Sequence, residues 1–96
     1  MLIDSYVLDT LMRDLIGHDR APSAYLVYLH LYRQTHGADR RSVSIALLDI
    51  AEATGLSKRT VQSAIAHLVY RRLIAVTRDS LTSVPDYSVL RPWRKT

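Results

Sequence analysis

Residues 47–66, LLDIAEATGLSKRTVQSAIA, constrain the fold of this chain more than any other stretch. Gly55 lies where the backbone must turn sharply, because glycine adopts positive φ at little steric cost. Ser57 follows, and its side-chain oxygen can accept a hydrogen bond from the N–H of Arg59 or Thr60 and so cap a helix. The stretch therefore predicts two helices joined by a tight turn.

The second of these helices has two chemically different faces. Its apolar side chains recur at helical spacing and are expected to face inward; they are Val61, Ala64 or Ile65, and Leu68. The opposite face carries side chains suited to phosphates and base edges, namely Lys58, Arg59, Gln62, Ser63 and His67.

Position by position, this pattern resembles the bacterial helix-turn-helix. Ala51 supplies the small residue in the first helix, Gly55 the turn, and Leu56 the apolar residue after it. Thr54 departs from the pattern, since an apolar residue is more usual there, but its methyl group can still pack. An ordinary αα-hairpin is the alternative, and the basic pair Lys58-Arg59 after the turn favours DNA binding.

The charge of the chain is unevenly distributed. The formal net charge is +4 at pH 7. Residues 1–57 carry five arginines against seven acids, whereas residues 58–96 carry eight bases against two acids. Positive charge thus begins where the second helix begins, as expected of a nucleic-acid face, although a solvated basic half would show the same charge.

An additional helix is expected over residues 2–17, ended by Gly17. Its apolar stripe comprises Leu8, Leu11, Met12 and Leu15. This helix either lies across the DNA-binding unit as core or pairs with its copy in a second subunit. Aspartates recur every five residues, at Asp4, Asp9, Asp14 and Asp19. This spacing does not place them on one face of a helix, so they are interpreted as solvated surface.

The next helix is expected from Pro22 to His36 and is ended by Gly37. Its tyrosines could stack on bases, but at this spacing they are more typical of core. A short strand over 42–44 follows, and Ser44 is expected to cap the helix over 45–54.

Beyond the basic helix, which is expected over residues 58–70, the pattern predicts a β-hairpin. Its strands cover 73–78 and 86–90, with Tyr87 and Val89 on one face. The resemblance then extends to the winged helix-turn-helix, a mainly α fold with a small β-hairpin wing. Many members have glycine where this chain has Arg72. The whole chain, 1–96, is interpreted as one domain with a winged-helix core at 22–90 and a basic tail at 91–96.

The resemblance implies sequence-specific binding of double-stranded DNA, as in small bacterial transcription regulators, with helix 58–70 in the major groove. Arg59 is the candidate for guanine and Gln62 for adenine or a phosphate. The other candidate DNA contacts are Ser44, Ser57, Lys58, Thr60, Ser63, His67 and the wing residue Arg78, with Arg91, Arg94 and Lys95 trailing along the backbone. A symmetric homodimer is expected, because one unit covers only a half-site.

Several other functions are not favoured by the sequence. The chain has no cysteine and no nucleophile or phosphate-loop motif, so no enzyme, cofactor or metal site is expected. No apolar run is long enough for a membrane span and no small-molecule ligand is evident, which together with the absence of cysteine favours the cytoplasm. Two alternatives stay open: a winged-helix protein-interaction module, and a DNA-binding replication or partition factor.

Overall fold

The computed structural model of the protein describes residues 2–80 and 83–94, which form a mainly helical fold with a small antiparallel sheet. An N-terminal helix includes two π-helical stretches, Val7–Leu11 and Arg13–His18. The remaining elements are helix α1 (Pro22–Gln34), a 3₁₀ turn (His36–Ala38), strand β1 (Val43–Ser44), helices α2 (Leu47–Thr54) and α3 (Lys58–Tyr70), and strands β2 (Ile74–Thr77) and β3 (Asp86–Val89). The coarse fold class expected from the sequence is therefore confirmed.

Helix α1 is the central element of the core. Its tyrosines Tyr25, Tyr28 and Tyr32 are each at most 4% exposed, so they pack in the core and do not form a stacking surface. The Tyr25 hydroxyl donates to the Val7 carbonyl at 2.9 Å, and the Tyr28 hydroxyl donates to the Leu90 carbonyl at 3.0 Å. These bonds satisfy the buried phenols and tie both ends of the chain to α1.

Helix α1 begins at Pro22 as expected but ends at Gln34, two residues before the predicted end. The buried Thr35 hydroxyl donates to the Leu31 carbonyl at 2.8 Å, and the chain then enters the 3₁₀ turn. Gly37 therefore lies inside that turn and does not end the helix.

The N-terminal helix buries a different stripe from the one predicted. Helical backbone runs from Ser5 to His18, so Gly17 does not stop it. Val7, Leu11 and Leu15 are buried, whereas Leu8 and Met12 are 49% and 42% exposed. Hydrogen bonds between residues five apart widen the turn, so side chains four apart lie on one face.

Among the described residues the sheet has the strand order β1–β3–β2, and both pairings are antiparallel. Val43 is opposite Tyr87 in the first pairing, and Ile74 is opposite Val89 in the second. Tyr87 and Val89 are both buried, which confirms the predicted inner face of the hairpin. The short strand predicted at 42–44 becomes the third strand of this sheet.

The core joins all of these elements around α1. Its buried side chains come from the N-terminal helix, from α1, α2 and α3, and from β2 and β3. Within residues 2–80 and 83–94, no helix has the length and apolar character that crossing a membrane requires.

Candidate nucleic-acid interface

The turn between α2 and α3 has the geometry that its sequence predicts. Gly55 follows α2 with φ 74°, and its N–H donates to the Ala51 carbonyl. The Leu56 N–H donates to the same carbonyl at 3.2 Å. A Cβ on Gly55 would have open space around it, so the glycine is required by its φ and not by crowding.

Ser57 caps α3. It has extended backbone (φ −73°, ψ 158°), and its Oγ accepts from the Thr60 N–H at 3.1 Å. The same hydroxyl donates to Thr60 Oγ1 at 2.9 Å. Thr60 Oγ1 thus accepts this bond at the positive end of the helix dipole, and its own O–H has no acceptor among the described residues.

Helix α3 separates its two faces as expected. Val61, Ala64 and Leu68 are buried and Ile65 is half-buried. The opposite face exposes Lys58, Arg59, Gln62 and Ser63. Among the described residues, neither Lys58 nor Arg59 forms an ion pair, so both cations face solvent without a protein counter-charge.

The structure brings His67 to a carboxylate that the sequence did not indicate. The Asp19 side chain is 7% exposed, and its Oδ2 lies 2.8 Å from His67 Nε2 and 3.0 Å from Arg71 Nε. Its Oδ1 lies 2.9 Å from His18 Nδ1. The interpretation of Asp19 as solvated surface was therefore wrong, since the residue connects the end of the N-terminal helix to α3.

The charge on Asp19 is stabilised by this cluster. Burial of the carboxyl opposes its ionisation, but hydrogen bonds to His18 and His67 and the charge of Arg71 together outweigh that cost. They hold the pKa of Asp19 below its usual value. His67 thus has a carboxylate partner in the protein, and its predicted phosphate contact stays a prediction.

Ser44 on β1 and Arg78 after β2 lie together at the end of the sheet where the hairpin loop begins. They line a groove of about 320 Å³ with Thr77, Asp79 and Asp86. The Ser44 hydroxyl donates to Asp86 Oδ1 at 3.0 Å. Ser44 does not cap α2 as predicted, because that helix begins at Leu47 after Ala46, and no described side chain caps it.

A second groove, of about 240 Å³, places α3 beside the start of α1. Thr60, Ser63 and His67 form one wall, and residues 20–24 form the other. The candidate DNA contacts of α3 and the first turn of α1 therefore face the same space.

The basic tail is packed against the protein. Trp93 stacks on Tyr6 with ring centroids 4.5 Å apart, and its Nε1 donates to Asp4 Oδ2 at 3.1 Å. Arg91 Nη1 and Arg94 Nε lie 3.8 and 3.5 Å from the same oxygen. Asp4, like Asp19, is thus not the solvated residue that its sequence spacing suggested. Lys95, the third predicted tail contact, lies outside the described residues.

The end of α3 shows how the chain accommodates Arg72 at the position where the resembled pattern has glycine. Arg72 has φ 58°, in the left-handed region that the missing glycine would favour. The following Leu73 N–H donates to the Leu68 carbonyl at 2.9 Å. The helix therefore ends with this turn despite the bulky side chain, and the chain passes directly into β2.

No known protein family matches the chain, and neither a characterised protein nor a solved structure matches it. Within the described part of the chain, no group of three or more His, Asp or Glu side chains is placed to hold a metal ion.

Proposed function

We propose that the protein binds double-stranded DNA with sequence preference and regulates transcription, with α3 as the recognition helix of a winged helix-turn-helix. The observation that carries this proposal is the exposed first half of α3, where Lys58 and Arg59 have no ion-pair partner among the described residues. Unpaired cations at a helix N-terminus attract phosphates, and an exposed helix of this kind fits the major groove.

The arrangement around α3 supports the same proposal. The φ of Gly55 and the Ser57 cap fix the α2–α3 turn, so the direction of α3 is held by backbone geometry. The β2–β3 hairpin follows α3 directly, as a wing does. Ser44 on β1 and Arg78 after β2 line one groove at the loop end of the sheet, and both are proposed contacts with the DNA backbone.

Within this proposal the residues have different tasks. Arg59 reads guanine O6 and N7, and Gln62 reads adenine or contacts a phosphate. Lys58 and the Thr60 hydroxyl hold phosphates at the start of α3. His67, which is bonded to Asp19, positions α3 on the N-terminal helix.

The test is selection of bound sequences from random duplex DNA, followed by affinity measurements with Arg59→Ala. A lost bidentate contact should cost about 1–3 kcal/mol on the preferred site and relax the preference at one base pair of each half-site. Arg13→Ala, which removes an exposed arginine from the N-terminal helix, is the matched control and should retain the preference. An unchanged preference in Arg59→Ala would show that Arg59 does not read a base.

The proposal includes a homodimer, because one α3 covers only a half-site. The N-terminal helix offers the candidate contact, since Leu8, Met12 and Ile16 lie four residues apart and are each 38% exposed or more. Two such faces pair by one symmetric contact.

Met12→Glu tests the dimer. The side chain is 42% exposed, so a charge there should leave the monomer folded while weakening an apolar contact between subunits. Light scattering should show a dimer for the natural sequence and a monomer for Met12→Glu, with Arg13→Ala as the control on the same helix. A monomer in the natural sequence at working concentration would refute the dimer.

A further inference from the structure

A basic cleft of about 550 Å³ lies beside the C-terminal end of α1, and we call it the arginine cleft. The side chains that matter for its chemistry are Arg40, Arg41, Arg91, Arg94, His36 and Asp4. Arg40 and Arg41 lie in a polar loop whose sequence contains no motif that would indicate a role for them. The structure brings this loop against the basic tail.

The cleft carries more positive than negative charge. Asp4 Oδ2 lies 3.8 Å from Arg91 Nη1 and 3.5 Å from Arg94 Nε, so one carboxylate is shared between two guanidinium groups. Arg40 and Arg41 are exposed and form no ion pair with any described residue. Asp39 is the other carboxylate among the described lining residues. An anion with more than one charge is therefore needed to balance the cleft.

The arginine cleft is separate from the proposed DNA face. His36 Nε2 lies 3.0 Å from the Val89 carbonyl, and Val89 pairs with Ile74 at the base of the hairpin. The hairpin tip is at the opposite end of β3, about 10 Å away at roughly 3.4 Å per residue.

The length of α1 also separates the arginine cleft from α3. The first turn of α1 faces α3, whereas the cleft lies just beyond its last turn. Thirteen residues of helix place the two ends about 20 Å apart, at roughly 1.5 Å per residue. A ligand in the cleft therefore does not occupy the surface offered to DNA.

We propose that the arginine cleft binds a small phosphorylated anion with two or more negative charges. Its volume lies within the range of about 300–1,000 Å³ typical of small-ligand sites. Guanidinium groups donate in a planar fork that matches phosphate oxygens, and this favours phosphate over a single carboxylate. The binding does not depend on the DNA-binding proposal, since no residue of the cleft lies on α3 or at the hairpin tip. Arg91 and Arg94, which were expected from the sequence to trail along the DNA backbone, line the cleft.

Binding should be visible in the fluorescence of Trp93, the single tryptophan of the chain. Its Nε1 donates to Asp4, and Asp4 is held by Arg91 and Arg94. A polyphosphate that binds Arg91 and Arg94 competes with Asp4 for these two arginines. It thereby changes the surroundings of the Trp93 ring. The ligand therefore needs no label.

The experiment is titration of the folded protein at low salt with inorganic tripolyphosphate, which does not absorb at the excitation wavelength of tryptophan. We expect saturable binding with a Kd below about 1 mM. Arg40→Ala/Arg41→Ala should weaken it by about tenfold or more, as the loss of charged hydrogen bonds predicts. Arg40→Lys/Arg41→Lys retains the charge but not the planar fork of donors. Its Kd should lie between that of the natural sequence and that of Arg40→Ala/Arg41→Ala.

The control is Arg13→Ala/Arg72→Gly, which removes two exposed arginines that do not line the cleft. Its Kd should stay within about twofold of that of the natural sequence. Equal weakening by this control would mean binding by overall charge and would overturn the proposal, as would absence of saturable binding. Loss of duplex DNA affinity in Arg40→Ala/Arg41→Ala, without tripolyphosphate binding to the natural sequence, would identify the cleft as a DNA-backbone contact instead.

Discussion

Arg72 has backbone strain that a single substitution can remove. Its φ of 58° costs an L-residue roughly 1–2 kcal/mol, and glycine avoids that cost while losing more entropy on folding. Arg72→Gly should therefore raise the free energy of unfolding by about 0.5–1 kcal/mol, measured by urea denaturation.

The control for Arg72→Gly is glycine in the regular part of the same helix. Ala66 is exposed in α3, and Ala66→Gly should lower the stability by about 1 kcal/mol. A lower stability of Arg72→Gly would show that its φ differs in solution.

Asp19 should make the stability of the protein depend on pH in the acidic range. Since its pKa is lowered by folding, its stabilising contribution is complete above the unfolded pKa of about 3.9 and is lost as pH falls through the lower folded pKa. Asp19→Asn removes the charged acceptor of His67 and Arg71 and should cost about 2 kcal/mol at pH 7.

The difference between Asp19→Asn and the natural sequence should shrink below about pH 4, because both then lack the carboxylate charge. Denaturation at a series of pH values measures this. Asp9→Asn, at an exposed position of the N-terminal helix, should stay within about 0.5 kcal/mol of the natural sequence throughout. A pH-independent loss in Asp19→Asn would contradict the role of the charge.

At the scale of the element, the Ser57 cap should stabilise α3 measurably. Ser57→Ala leaves the Thr60 N–H without its acceptor and should lower the free energy of unfolding by about 1 kcal/mol. Ser63 lies exposed on the same helix and its hydroxyl forms no hydrogen bond with a described residue, so Ser63→Ala should change stability by less than about 0.5 kcal/mol. Equal effects of the two substitutions would show that the cap contributes nothing.

Local sequence signals predicted some elements well. The bounds of α3, Lys58–Tyr70, agree with the prediction, because Ser57 marks its start and the apolar spacing marks its buried face. The hairpin strands were also located, since alternating apolar residues distinguish inside from outside within a few positions. Such signals depend on neighbours along the chain, which the sequence displays directly.

Other features depend on contacts between distant residues and were missed. The N-terminal helix was predicted with 3.6-residue periodicity, but its π-helical turns bury Val7 in place of Leu8. Asp19 meets His67 across 48 residues, and no local pattern indicates that pair. The arginine cleft likewise combines a loop and a tail that are far apart in sequence.

At the scale of the whole molecule, the protein has two positively charged surfaces that lie apart from each other. In the proposal, the first half of α3 and the hairpin tip face DNA. The arginine cleft lies about 20 Å from the end of α1 that faces α3 and about 10 Å from the hairpin tip. The N-terminal helix packs on α1 through its buried stripe and leaves Leu8, Met12 and Ile16 exposed, as the proposed contact between subunits. The net charge of +4 favours association with a polyanion at either charged surface.

The central claim is that α3 binds DNA, and fluorescence anisotropy on labelled random-sequence duplex over a salt series tests it most directly. The logarithm of affinity should fall with the logarithm of salt concentration with a slope of about −4 or steeper. Lys58→Ala should flatten this slope by about 1 for each subunit bound, while Arg13→Ala should not. Absence of binding at low salt, or a slope unaffected by Lys58→Ala, would contradict the claim and point to α3 as a surface for docking another protein.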